Sequence, residues 1–320
     1  MISLFCLALG ILVTPDRLID LGPMRMSLTS DNDSVRQIAY IEVHAFRIAL
    51  ILFAITLTTM ALTWKRIVCS TFVKSIDAHE ALTDKCHQKN SSLFNASLWI
   101  MLGSAMCGFL YIALGARFFS PAQLAMIHGE DGVLEYASVL FFLISSILAA
   151  LLAVRFSGLK SRMIMHGLLA FLFFVMAGEE ISWGQRIFDI ETPEMMKGAN
   201  VQDEINLHNM FGYFADHLFI AAIGLYGFVL PVVVHFKPTI RKLVDLMGIP
   251  VASLGLAIGF LTASSFQRWL VNRVVEFPPG FRIEELREML ISIALFLLMV
   301  ESWRLSRGYR KQRAIQSDSG

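Results

Sequence analysis

Apolar runs recur along this chain at 48 to 64, 98 to 116, 136 to 154, 163 to 178, 218 to 236, 247 to 266 and 289 to 300, and they leave few folds open. A helix that crosses a bilayer needs about 20 residues, and a backbone in hydrocarbon must satisfy its own hydrogen bonds. Most of these runs come close to that length. With 56% of 320 residues hydrophobic, 17% charged and a mean hydropathy of +0.61, a water-soluble fold could not hide so much apolar surface. The expected fold is therefore all-α: a polytopic membrane protein of about seven transmembrane helices, in a single domain over 48–305.

The ends read differently. Residues 2 to 14 are apolar but short for a span, and no basic stretch precedes them. We read residues 1–47 as an N-terminal segment that is signal-like or upstream of a true start at Met24 or Met26. Residues 306–320 form a basic tail. Alternating the seven spans sorts the loops into one set with 16 Lys and Arg against 6 acids and another with 11 against 20. Positive charge favours the cytoplasm, so the amino terminus is expected outside and the carboxyl terminus inside. Cys6, Cys69, Cys86 and Cys107 show no paired spacing, which argues against a disulfide framework or thiolate metal site.

Charge becomes informative where it enters the spans. The run 163 to 178 is too short to cross unless it takes in Glu179, Glu180 and Trp183, which puts two carboxylates inside the membrane boundary. The run 289 to 300 has the same shortage, with Glu284, Glu285 and Glu288 at one end and Glu301 and Arg304 at the other; a re-entrant segment is the alternative. Asp131 and Glu135, Glu204 and His208, and Glu284 and Glu288 are each four apart, so each pair shares a face if helical. Asp216 and His217 open the run at 218. Under the expected topology these acids gather at one membrane face.

Convergent carboxylates repel, so such a pocket must hold protons, pair with arginines or bind a cation. Carboxylate oxygens with one or two imidazoles suit a divalent metal ion. Glu135, Glu180, His208 and Glu288 are the candidate metal ligands, and Glu179, Glu180, Glu204 and His208 the candidate acid–base groups. Of the adjacent pair, Glu180 is favoured to face the bundle. Arg186 and Arg268, with Gln185, could hold a substrate phosphate. Blander readings exist: Asp131, Glu135, Glu284 and Glu285 could complement helix dipoles, Glu204 could cap a helix, His166 could be a packing residue, and Trp183, Trp269 and Trp303 could be interfacial anchors.

The stretches EDGVLEY (130–136), GEEISWGQR (178–186) and NVQDEINLHN (200–209), with EELREML (284–290) opening the last run, resemble a group of bacterial multi-pass membrane proteins. The resemblance covers roughly residues 128 to 300. It implies that these residues belong together and implies no activity. No Ser-elbow, P-loop, dinucleotide fingerprint, haem-attachment motif or paired Glu-x-x-His set is present. The basic residues lie in short turns, which gives nucleic-acid binding no support. The expected function is a metal-dependent membrane enzyme acting on a lipid or lipid-linked substrate at the extracytoplasmic face. The alternatives are a non-catalytic assembly or sensor protein with an arginine-neutralised acidic cap and, third, a cation or proton transporter, which the apolar span centres disfavour.

Overall fold

The computed structural model describes residues 91–129, 132–185, 217–275, 277 and 281–317, with isolated positions before residue 60. The run at 48 to 64, apart from isolated positions, and the central loop from 186 to 216 lie outside the described residues. One compact unit comprises Ala78–Ala199, Asp203–Asn206 and Ile220–Gly320; a second comprises Met1–Asp77, Asn200–Gln202 and Leu207–Phe219. The helices below belong to the first, with α5 counted from Ile220.

Every regular element among the described residues is helical: α1 (Ser91–Phe118), α2 (Pro121–His128), α3 (Val133–Arg155), α4 (Lys160–Glu180), α5 (His217–Phe236), α6 (Pro238–Met247), α7 (Leu254–Ser264) and α8 (Ile283–Ser317). Four stretches are long and apolar enough to cross a membrane: Asn95–Phe118, Pro121–Arg155 (α3 being its apolar part), Lys160–Glu180 and His217–Phe236. They coincide with four of the expected spans.

The helix α8 is the axis of the bundle. It packs on α1, α3 and α7, and Leu290, Ile291, Ala294 and Leu298 are wholly buried along it. Each such leucine or isoleucine side chain contributes about 1.5–3 kcal/mol relative to exposure in water. The twelve-residue apolar core is short because α8 is sheathed by other helices, so the charge at both ends of that core meets protein. The stretch 289 to 300 lies within one continuous helix, not a re-entrant turn, and that helix runs on through the basic stretch to Ser317. By contrast α3 divides its apolar residues: Phe142, Ala149 and Leu152 are buried, whereas Leu140, Ile147, Leu151 and Val154 are exposed, as lipid contact requires.

Five contacts fix the directions. Phe141 meets Phe296 at 5.6 Å between ring centroids, and the Arg155 guanidinium lies 4.8 Å over the Trp303 ring, so α3 and α8 run parallel. The short link after α3 returns the chain, and Ser146 Oγ donates to the Ala170 carbonyl at 2.8 Å, so α4 is antiparallel to α3. On α1, Ser97 faces Glu301 whereas Gly108 faces Leu286, which makes α1 antiparallel to α8. The start of α3, the end of α4 and the start of α8 therefore share one end of the bundle. The start of α1, the start of α7 and Glu301 share the other.

One expectation about a helix needs correction. The run 247 to 266 is not one helix: α6 ends at Met247, Gly248 takes a left-handed conformation (φ 72°), and α7 covers only Leu254–Ser264. Pro250 explains the gap, because it has no N–H to donate and disfavours helical geometry in the residue before it. Ser253 then caps α7, its side chain accepting from the Leu256 amide. In α5 Pro231 does more than kink the chain. Its ring crowds the carbonyl four residues back, at Gly227, and the turns before it widen into a π-helix over Gly224–Val229. Gly227 is needed there, since a Cβ would stand 2.3 Å from the Phe260 ring of α7.

Candidate functional site

At the end of the bundle shared by α3, α4 and α8, carboxylates from three helices meet. One ligand oxygen each from Glu180, Glu285 and Glu288 lies within 4.8 Å of the others, and the three side chains are partly buried. Glu135, in the first turn of α3, is buried at 4% exposure and close enough for its charge to act on Glu180. The hairpin of α3 and α4 brings Glu135 and Glu180 to one level. The parallel packing of α8 on α3 adds Glu285 and Glu288, which are three apart and so share a face. At an effective dielectric constant near 20, two full charges at this spacing repel by about 3 kcal/mol.

Arginines from the same end answer part of that charge. Arg287 is buried at 2% exposure, with Nη2 3.9 Å from Glu288 Oε1 and Nη1 donating to Gln267 Oε1 at 3.4 Å. Arg282 Nη1 is 3.6 Å from Glu285 Oε1. Arg268 lies further out, 3.5 Å from Glu284, 5.4 Å over the Phe277 ring, and donating to the Phe281 carbonyl at 2.6 Å. Among the described residues, then, the Arg282 and Arg287 guanidiniums stand beside Glu285 and Glu288, two of the three carboxylates that meet.

The expected residues are dealt out unevenly. Glu135, Glu180 and Glu288 come together as expected. Glu179 does not join them: its Oε1 accepts the Trp183 indole N–H at 2.7 Å, on the exposed side of the helix end. The expected pairing of Glu284 with Glu288 is replaced by Glu285 with Glu288, because Arg268 draws Glu284 outward. Gln185 is half-buried just after the turn that ends α4. Arg186, Glu204, His208, Asp131 and Asp216 lie outside the described residues, as do Glu130 and Asp203. His217 stands at the first residue of α5. His166 is buried, its Nδ1 donating to the Arg162 carbonyl at 2.8 Å and its ring 5.2 Å from Phe156, as a packing residue would be.

The chain matches no family model, no curated protein and no solved structure. The reading of the site therefore stands on its geometry.

Arg287 is among the arginines that the sequence places on the acidic side to neutralise carboxylates, and nothing in its spacing marks it as the buried one. Sequence reasoning passed over two residues at this end. Tyr111 and His128 pair at 2.9 Å between Oη and Nδ1, and the His128 ring packs 4.8 Å from Phe281, just before the acids of α8. A histidine at the end of an eight-residue helix was the available signal.

Proposed function

We propose that this chain is a seven-span protein of a bacterial inner membrane, amino terminus outside and carboxyl terminus in the cytoplasm, which binds a divalent cation at its extracytoplasmic end. The observation that carries the proposal is the convergence of Glu180, Glu285 and Glu288 from two helices, with Glu135 near them. Hard oxygen donors suit Mg²⁺ or Mn²⁺, and an imidazole from His208, should the central loop bring it there, would extend the set to Fe²⁺ or Zn²⁺.

With the cation in place the site would act on a lipid or lipid-linked substrate, by hydrolysis or group transfer. The cation would polarise an ester or phosphoryl oxygen, and a carboxylate that does not ligate it would carry the proton. Arg268, part-exposed beside the acids, is suited to a substrate phosphate, with Arg186 and Gln185 as further candidates. Purified protein incubated with a bacterial lipid extract, with and without EDTA, tests this reading by mass spectrometry of the lipids. A product that needs both the cation and Glu180 is expected; an unchanged lipid profile in every arm contradicts enzymatic action.

A second reading draws on the ion pairs of Arg268, Arg282 and Arg287. These could make the acids a neutralised cap on a non-catalytic assembly or sensor protein. It predicts no bound metal and full cellular function after Glu180→Gln. Transport ranks below both, since the acids stand at one end of the bundle.

A further inference from the structure

The two adjacent glutamates of α4 face different partners, and the turn after them supplies a cause. Ser182 (φ 45°), Trp183 (φ 55°) and Gly184 (φ 78°) follow one another in the left-handed region. That conformation is unfavourable for serine and unusual for a bulky aromatic residue. It folds the chain back so that the indole lies on the last turn of α4. A Cβ at Gly178 would stand 2.9 Å from the Trp183 ring, so only glycine allows this contact. The indole and Phe174 rings meet edge to face with their centroids 6.2 Å apart, and the indole N–H donates to Glu179. Ser182 is fully buried beneath the turn.

Consecutive residues of a helix point about 100° apart, so a rotation of the end of α4 by about that angle would exchange the two carboxylates. We infer that Trp183, seated on Gly178 and hydrogen-bonded to Glu179, is a positioning residue that keeps Glu179 out of the carboxylate cluster and turns Glu180 into it. The strained turn is then the cost of selecting one of two chemically identical side chains. A tryptophan serving solely as an interfacial anchor requires neither the glycine beneath it nor the bond to Glu179.

Cross-linking tests the selection without any cation. In full-length protein with Cys6, Cys69, Cys86 and Cys107 changed to serine, oxidant-induced disulfide yield is compared for Glu180→Cys with Glu288→Cys and for Glu179→Cys with Glu288→Cys. The first pair is expected to dominate, and Trp183→Ala to reduce that preference about tenfold, the worth of one hydrogen bond to a charged group. Trp183→Phe keeps a ring on Gly178 but no N–H. Should the alanine variant fail to fold, the phenylalanine variant decides: a reduced preference supports the inference and an unchanged one overturns it.

A second arm rests on the cation reading. Mn²⁺ binding should weaken in Glu179→Ala and be restored in Glu179→Gln, whose amide oxygen still accepts the indole N–H. If Mn²⁺ does not bind even the unaltered protein while the cross-linking preference responds to Trp183, the cation reading fails and the positioning role stands. Equal cross-linking by both pairs, with or without Trp183, overturns the positioning role itself.

Discussion

The two ends of the apolar core of α8, 289 to 300, each carry acid, and they hold it in opposite ways. At one end Glu301, 3% exposed, accepts from Ser97 Oγ at 2.6 Å, from Ser253 Oγ at 2.7 Å and from the Ser253 amide at 2.9 Å. Both of its oxygens are occupied, and the donors come from α1 and from the residue that caps α7. Glu301 thereby ties three helices together. At the other end Glu285 and Glu288 meet Glu180 within 4.8 Å, with Arg282 beside Glu285 and Arg287 beside Glu288. A buried carboxylate is thus no sign of function by itself. What separates the two ends is whether the surroundings complete the charge, as at Glu301, or leave negative groups facing each other.

That contrast can be broken by mutation, and the largest effect belongs at the finished end. Glu301→Ala strands two hydroxyls and an amide in the interior and is expected to cost about 3–4 kcal/mol, read as a lower unfolding midpoint in detergent. A cost under about 1 kcal/mol would show that the network is ornamental. Ser253→Ala removes both a bond to Glu301 and the cap of α7, for about 2 kcal/mol. Glu180→Gln should go the other way in cation-free buffer, gaining about 1 kcal/mol as repulsion is relieved. Destabilisation there comparable to Glu301→Ala would erase the distinction between the ends. Ser97→Ala, losing one bond of three, sharpens the picture with a cost of about 1 kcal/mol.

The same contrast explains what could be read in advance. Four spans were legible because hydrophobic length is a local property of the chain. The site was legible in part, since acids at the ends of short apolar runs demand an explanation in a bilayer. Glu285 was less so, because residues three and four apart share a helix face equally well, and the choice between Glu284 and Glu285 rested on Arg268, sixteen positions before Glu284 in the sequence. Glu301 read as a helix end, for its partners Ser97 and Ser253 are 204 and 48 positions away. The break at Pro250 was legible in the residue itself, and hydropathy alone concealed it.

The most direct test of the account is titration of full-length, purified protein with Mn²⁺, followed by electron paramagnetic resonance, alongside Glu180→Gln and Glu301→Gln. We predict one bound cation per chain, lost in Glu180→Gln and retained in Glu301→Gln. No binding by the unaltered protein, or equal binding by all three, would contradict a cation site at the crowded end of the bundle.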